Sequence, residues 1–232
     1  MSWEVTWFEG SIQNRNLVAW RGVEAQHVIS TMRLVDTPDE QELIERLLEG
    51  SKPAMPTTQH PKHYLLATPF RYIPAHASRF RPAHAKGQWY GAQKIGTSCA
   101  EVAYWRHRFI LDSAGLTNET LLTEHTFFQG AIAGRSIDLM ATPWSASREI
   151  WTSGADYAAT HAVAAEAQRQ GVHWLTYESV RAAGQQCAVV FDPNSLSEPP
   201  AGLEATKQTW HCKATRTSVM FTRGSQRLSW DF

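Results

Sequence analysis

The chain has 232 residues, of which 43% are hydrophobic, and its 22 Lys and Arg balance 22 Asp and Glu for a formal net charge of zero. This length and composition predict a soluble globular protein with one main domain and argue against a strongly basic nucleic-acid-binding domain. Because no apolar run approaches about eighteen residues and the N-terminus lacks a signal-peptide pattern, we expect no membrane span and a cytoplasmic protein.

The first 60 residues predict an N-terminal helical extension that precedes the main domain. Residues 1–35 have a mixed pattern, which we interpret as a short strand or turn followed by a helix around Glu24–Leu34. The extension has too little apolar surface to fold alone. We therefore expect it to dock on the main domain or on another chain.

A second helix in the extension has clear start and stop signals. Thr37 and Glu40 have the spacing of a capping box, and Pro38 suits the first helical turn. Gly50 marks the end of the helix, and the three prolines of Ser51–Pro61 predict a linker. The apolar residues between these signals recur at helical spacing: Leu43, Ile44, Leu47 and Leu48.

Residues 61–232 are predicted to form the main domain. Its strand-like segments are Tyr64–Ala67, Gln88–Ala92, Thr126–Ile132, Ser136–Leu139, Trp174–Tyr177 and Ala188–Phe191, with further strands inside Thr206–Arg223. Its helix-like segments are Ser98–Leu111 and the Ala-rich Asp156–Gln170, which Gly171 ends. Helices and strands alternate without a βαβ rhythm, so we predict an α+β fold with a mixed sheet core and flanking helices.

Charge is unevenly distributed along this neutral chain. Residues 1–50 hold nine acidic and four basic residues, whereas residues 71–108 hold seven basic residues and one carboxylate, Glu101. A locally basic stretch favours anions such as phosphates. The same pattern is also typical of a solvated charged surface.

Metal binding and thiol chemistry have little support in the sequence. His60 and His63 are the nearest approach to a ligand pair, but no acidic or Cys partner lies beside them, so we expect no metal site. The three cysteines, Cys99, Cys187 and Cys212, are far apart and form no CxxC motif. This pattern indicates a reducing compartment rather than a disulfide framework.

The most informative residues follow Pro69-Phe70-Arg71-Tyr72. Arg79 precedes Tyr90 by eleven positions, and Tyr90 precedes Glu101 by another eleven. The Tyr177-Glu178-Ser179-Val180-Arg181 stretch comes much later and leads into an apolar strand. Taken singly, Arg79 also fits a surface ion pair, Tyr90 a core strand, Glu101 a capping box with Ser98, and Ser179 a turn.

Taken together, these motifs resemble the RES domain family over roughly residues 64–193. Two features depart from the resemblance: Ser78 stands where the family often has Gly, and the first 60 residues lie outside the core pattern. The resemblance implies a toxin of a bacterial toxin–antitoxin pair, a fold like that of the ADP-ribosyltransferase toxins, and consumption of NAD. It leaves open whether water, phosphate or a protein side chain accepts the ADP-ribose.

The resemblance also implies a role for each residue. Arg79 suits a phosphate because its planar guanidinium grips oxygen atoms bidentately, and Arg71 and Tyr72 are expected to add contacts to NAD. Tyr90 is expected to stack on a ring of NAD, and Glu101 to stabilise the positive charge that develops on the ribose. Ser179 is expected to donate a hydrogen bond to the nicotinamide or a phosphate, because no His or Asp forms a triad pattern with it.

The implied partner is a small helical DNA-binding antitoxin that blocks the active site, and NAD is used as a substrate without a metal. Two other functions remain open at this point. The basic, aromatic-containing stretch 71–108 allows a nucleic-acid-acting toxin, although the neutral chain argues against direct nucleic-acid binding. The ten tryptophans and the acidic N-terminal element allow a non-enzymatic partner-binding protein.

Overall fold

The structure, a computed structural model, describes residues 3–25, 29–32, 34–154 and 156–232. The described strands are β1 Gln13–Glu24, β2 Trp89–Ala92, β3 Leu121–Asp138, β4 Trp174–Glu178, β5 Gln186–Val190, β6 Leu196–Ser197, β7 Gln208–Ala214, β8 Ser218–Arg223 and β9 Gln226–Asp231. The described helices are α1 Thr6–Ser11, α2 Ile29–Met32, α3 Pro38–Ser51, α4 Tyr64–Ala67, α5 Ile95–Leu111, α6 Arg148–Trp151, α7 Ala158–Arg169 and α8 Leu203–Thr206.

All the described strands belong to one mixed sheet with the order β1-β2-β5-β4-β3-β7-β8-β9, and β6 pairs with β3. The β3–β4 pairing is parallel and the other pairings are antiparallel. Because β1 also pairs with β3, the strands β1, β2, β5, β4 and β3 form a closed circuit. The predicted α+β class, with a mixed sheet and flanking helices, is confirmed.

Residues 13–24 of the expected extension form a strand of the sheet, which is longer than the short strand or turn expected there. β1 pairs with β3 over its whole length, from Gln13 opposite Ser136 to Glu24 opposite His125. The polar and apolar residues of this segment alternate only weakly, so pairing with the long neighbour β3, rather than local propensity, determines the strand. β1 is therefore part of the same sheet as the strands of the main domain.

The helix expected around Glu24–Leu34 is found in part. Glu24 is the last residue of β1, and within the described residues of this span Ile29–Met32 form helix α2. Residues 26–28 and 33 of the predicted helix lie outside the described residues.

Helix α3 confirms the prediction made from its capping signals. The Thr37 side chain accepts a hydrogen bond from the Glu40 backbone N–H, and the Glu40 carboxylate accepts one from the Thr37 N–H. The apolar stripe of this helix is largely exposed, with Leu47 63% exposed and no residue of the helix buried. The capping box, rather than core packing, defines this helix.

Three other segment predictions are corrected. Tyr64–Ala67 is helix α4 rather than a strand, because the His63 ring accepts a hydrogen bond from the Leu65 N–H and so caps a helical turn. The two strands predicted between residues 126 and 139 are one continuous strand, β3, in which Gly134 adopts a φ of 123°. Glycine adopts this φ without steric cost, so the strand continues through Gly134.

Helix α5 begins at Ile95, three residues before the predicted start. Lys94 is its N-cap and makes no side-chain capping bond. Ser98 and Glu101 therefore lie inside the helix, and the expected capping box between them is wrong. Glu101 is free for another role.

The remaining predicted segments are confirmed with small shifts of their ends. β2, β4 and β5 match the predicted strands, β7 and β8 lie within Thr206–Arg223, and α7 matches the Ala-rich helix. Gly171 follows α7 with a φ of 70°, the left-handed conformation that commonly ends a helix.

Candidate active site

One cavity of about 490 Å³ brings together Arg79, Tyr90 and Glu101. Arg79 comes from the loop before β2, Tyr90 from β2 itself and Glu101 from α5. The steps of eleven residues between them therefore connect three separate elements that meet at one concave surface.

Ser179 fixes the carboxylate of Glu101. Its hydroxyl donates a hydrogen bond to Glu101 Oε1 at 2.6 Å, while its oxygen accepts from the backbone N–H groups of Arg181 at 3.1 Å and Ala182 at 3.0 Å. The hydroxyl proton is thus directed at Glu101. The sequence had suggested a nicotinamide or phosphate as its acceptor. These contacts orient the Glu101 carboxylate, which accepts the Ser179 hydroxyl proton.

An ion pair holds the loop that carries Ser179. Glu178 accepts two hydrogen bonds from Arg148, from Nε and Nη2 at 2.6 Å each, and a third from the Gly184 backbone N–H at 2.6 Å. Hydrogen bonding to Arg148 holds the pKa of Glu178 below its usual value. The Ser179 N–H also donates to the Gln185 carbonyl at 2.8 Å, so both ends of the loop are tied.

Arg79 is held by backbone carbonyl groups at the cavity wall. Its Nη1 donates to the carbonyl oxygens of Trp151 and Ser153, both at 2.8 Å, and its guanidinium lies 5.1 Å from the ring centre of Tyr157. In the described part of the chain, no hydrogen bond is found to Arg79 Nε or Nη2. These donors are the ones available to a bound anion.

Tyr90 presents its ring to the cavity, while neighbouring groups engage its hydroxyl. The hydroxyl lies 2.8 Å from Ser78 Oγ, donates to Gln88 Oε1 at 3.0 Å and accepts from the Phe80 N–H at 3.3 Å. Burial raises the pKa of Tyr90 to about 12. The phenol is therefore neutral near pH 7, and the ring face is the part suited to stacking.

Two further residues of the cavity have raised pKa values. Burial raises the pKa of Tyr177, whose ring packs edge-on against Phe80 at 4.8 Å, well above its ordinary value. Burial, followed by the nearby charge of Glu101, raises the pKa of the Cys187 thiol. Cys187 is therefore a thiol and not a nucleophilic thiolate near pH 7.

The structure does not bring Arg71 and Tyr72 to this cavity, which corrects their expected contact with NAD. Arg71 Nη1 donates to Glu49 Oε1 at 2.7 Å, and its Nε donates to the Pro53 carbonyl. Arg71 thus ties the end of α3 to the main domain. The partner of Arg71 is thus Glu49 of the predicted extension, and the sequence spacing of the two residues does not reveal this pairing.

The cavity also contains residues that the sequence motifs missed. Arg21 and Gly22 of β1 line it, as do Trp105 and Phe109 of α5 and Tyr157 before α7. Arg21 was hidden in a segment assigned to the extension. Trp105 follows Glu101 by one helical turn, and this spacing was the one sequence signal that could have located it.

A larger and more open groove of about 830 Å³ runs beside β3, β7 and β8. It contains none of the predicted site residues, so the smaller cavity is the candidate active site. Among the described residues, no group of three or more His, Cys, Asp or Glu is placed to hold a metal ion. His63 instead caps α4 and lies 3.2 Å from Glu204.

Comparisons with known proteins identify a family for the chain and a similar fold. A family model described as the RES domain matches residues 55–214. One similar solved structure is the crystal structure of the M. tuberculosis MbcT-MbcA toxin-antitoxin complex, with 11% identity, a TM-score of 0.51, and coverage of 91% of this chain and 92% of that chain. Comparison with curated proteins gives no match. In the part of the chain that the structure describes, no helix is long and apolar enough to span a membrane.

Proposed function

The chain belongs to the RES domain family, and from that premise we propose that it is a toxin of a toxin–antitoxin pair that breaks the nicotinamide–ribose bond of NAD. The observation that carries the proposal is the meeting of Arg79, Tyr90 and Glu101 in one cavity, with the Glu101 carboxylate fixed by Ser179.

The charge of the cavity suits this substrate. Among its described lining residues are four arginines and one carboxylate, Glu101. The arginines are Arg21, Arg79, Arg106 and Arg181, of which Arg106 is paired with Glu24. An excess of positive charge attracts the diphosphate of NAD, and the single carboxylate marks where positive charge on the substrate is stabilised.

The chemistry follows from the direction in which charge moves. The bond to the cationic nicotinamide ring breaks with its electron pair leaving on the ring, which becomes neutral while the ribose becomes positively charged. Glu101 stabilises that developing charge, as a preorganised carboxylate does in glycoside cleavage. Because Ser179 already orients the carboxylate, little reorganisation is needed during the reaction.

The other groups bind and position rather than transfer protons. Tyr90 is a neutral phenol whose hydroxyl is engaged, so its ring stacks and its oxygen is not a base. The free donors of Arg79 bind oxygen atoms of the substrate. Cys187 is a buried thiol, which argues against a covalent thioether intermediate.

The acceptor of the ADP-ribose is a protein side chain, a phosphate ion or water, and the cavity favours none of them. Incubating the purified protein with adenine-labelled NAD and cell lysate distinguishes these acceptors. Label on a protein band identifies a transferase, ADP-ribose-1-phosphate identifies a phosphorylase, and free ADP-ribose identifies a hydrolase.

An antitoxin that covers the cavity would keep a producing cell alive. The similar solved structure is that of a toxin-antitoxin complex, which supports a protein partner of this kind. We propose a small helical DNA-binding partner, and expect its complex with this chain to stop NAD consumption.

A nucleic-acid-acting toxin has less support in the arrangement of charges. Several arginines of the basic stretch are paired with carboxylates: Arg71 with Glu49, Arg106 with Glu24, and Arg108 with Asp112. Arg81 is buried and donates to backbone carbonyls. The stretch therefore does not provide one continuous basic surface of the kind that binds a phosphate backbone.

Expression in bacteria tests the proposal. We expect the wild-type chain to arrest growth and deplete NAD, and Glu101→Gln to relieve both, because it removes the charge that stabilises the ribose. Glu119→Gln, at an exposed glutamate outside the cavity, is the matched control and should remain toxic. Growth arrest with an undiminished NAD pool would reject the proposed reaction.

A further inference from the structure

We propose that strand β9 is an interface through which two copies of this chain pair as a symmetric dimer. The partner is a second copy of the chain, whose β9 runs antiparallel to the first and continues the sheet. This inference goes beyond the proposed function and does not depend on it. It assigns a role to Gln226–Asp231, which lies outside the family-matched residues 55–214.

Strand β9 has an open edge. In the described part of the chain it pairs with β8 alone and is the last strand of the sheet order. All six of its residues pair with β8 in an unbroken register, and its sequence contains no proline. Natural proteins commonly protect such an edge with a proline, a bulge or a covering segment. A regular edge without these features is suited to the addition of another strand.

The hydrogen bonding to β8 determines which backbone groups face outward. The Phe232 N–H donates to the Thr217 carbonyl at 2.9 Å, just beyond the end of the β8–β9 ladder. Hydrogen-bonded residues alternate along an antiparallel strand, so the even-numbered residues of β9 bond to β8. Arg227, Ser229 and Asp231 therefore direct their backbone N–H and C=O groups away from β8.

The edge of β9 is complementary to a second copy of itself. When two antiparallel β9 strands meet with Ser229 opposite its own copy, the outward backbone groups of both strands are in hydrogen-bonding register. In this register Arg227 faces Asp231 of the partner subunit, and Leu228 faces Trp230 of the partner subunit. A shift of one residue would lose the hydrogen bonds, and a shift of two would lose the match of opposite charges.

The charges on this edge are available to a partner. Arg227 and Asp231 are both exposed, and no ion pair to either is found among the described residues. They are four residues apart, about 13 Å along the strand, so they are too far apart to pair within one chain. Like charges would keep two edges apart, whereas opposite charges placed across from each other stabilise the pairing.

The other face of β9 adds an apolar contact. Leu228 and Trp230 are partly buried against the core, where the Trp230 ring lies 6.3 Å from that of Phe221. In the dimer, Leu228 and Trp230 of the two copies lie side by side and bury more of their surface. The pairing also uses the free edge of β9 in both copies, so this interface closes at two chains.

A charge exchange tests the interface and its register. In analytical ultracentrifugation of the full chain, we expect the wild-type mass to rise with concentration from one chain to two. Arg227→Asp and Asp231→Arg should each raise the dissociation constant about tenfold or more, because two symmetric pairs become like-charge pairs. The double variant should restore dimerisation, since the opposite charges again face each other. Lys213→Asp, at an exposed residue of the inner strand β7, is the control and should dimerise normally.

A proline tests the backbone pairing. Ser229→Pro should abolish the dimer and keep the β8–β9 hairpin, because an outward-facing N–H on an edge strand is where proline is tolerated. Ser229→Ala is the matched control and should dimerise as the wild type does. Circular dichroism checks the folding of each variant, and the charge exchange decides the question if Ser229→Pro does not fold. A wild type that stays monomeric, a dimer that no folded variant weakens, or a double variant as weak as the single ones would overturn the proposal.

Discussion

The Ser179 hydroxyl and the Glu101 carboxylate form the shortest side-chain contact made by the proposed catalytic group, at 2.6 Å. Ser179 does not line the cavity, so it is a positioning residue that acts through Glu101. Its own position depends on two backbone N–H groups and on the Glu178–Arg148 ion pair. The orientation of Glu101 is thus set by the loop that carries Ser179.

We predict that Ser179→Ala lowers kcat for NAD cleavage about tenfold and leaves KM nearly unchanged. One hydrogen bond to a charged group is lost, and it matters most when the ribose charge develops. Steady-state kinetics measure this effect, with exposed Ser197→Ala as the control. A rise in KM by a similar factor, with kcat unchanged, would show that Ser179 serves substrate binding instead.

The residues of the site were predictable to different degrees. Arg79, Tyr90 and Glu101, which line one cavity, could be selected from the sequence because the family resemblance combined three weak motifs. Arg71 was misassigned because its partner, Glu49, comes from a helix twenty-two positions earlier, and sequence spacing gives no sign of such a pairing. Arg21 was missed because a single arginine in a strand carries no motif.

Helix α3 and strand β1 show why some elements were predictable and others were not. The start of α3 is encoded locally, by a Thr cap and a glutamate three residues later. β1 depends on pairing with β3, more than one hundred residues away in sequence. Local signals describe the first kind of element, whereas the second needs knowledge of the partner strand.

His125, in β3, makes the unfolding free energy of the protein sensitive to acid. The residue is 1% exposed, its Nε2 lies 3.1 Å from Thr123 Oγ1, and burial, with a smaller effect from Arg106, lowers its pKa to about 4. The folded protein therefore favours neutral His125, while the unfolded chain takes up a proton below its ordinary pKa of about 6.5. The stability that this residue contributes is present above about pH 6.5 and is lost as the pH falls toward 4.

We predict that His125→Phe reduces the loss of unfolding free energy between pH 7 and pH 4.5. Urea denaturation at the two pH values measures the difference. Replacing the exposed His60 by Gln should leave the pH dependence as in the wild type. If His125→Phe loses as much stability on acidification as the wild type does, His125 is not the group responsible.

At the scale of the whole molecule, contacts link the N-terminal helix α1 to the candidate active site. Phe8 packs edge-on against Trp144, with ring centres 4.9 Å apart, and the Trp144 carbonyl accepts a hydrogen bond from Trp151 Nε1 at 2.7 Å. The Trp151 carbonyl in turn accepts from Arg79. A continuous set of contacts thus links the first helix to the guanidinium in the cavity.

We predict that Phe8→Ala lowers the unfolding free energy by about 3–5 kcal/mol, because it removes a fully buried aromatic side chain. Leu47→Ala in α3 should change it by less than about 0.5 kcal/mol, because that side chain is mostly exposed. Urea denaturation of both variants measures the contrast. Similar losses in the two would contradict the view that α1 is part of the core while the apolar face of α3 is not.

Nicotinamide release from NAD by the purified protein tests the central claim most directly. The wild type and Glu119→Gln should release nicotinamide at equal rates, while Glu101→Gln should be slower by about 10²–10³, the usual cost of removing one preorganised electrostatic group. Nicotinamide release by Glu101→Gln at the wild-type rate would contradict the account.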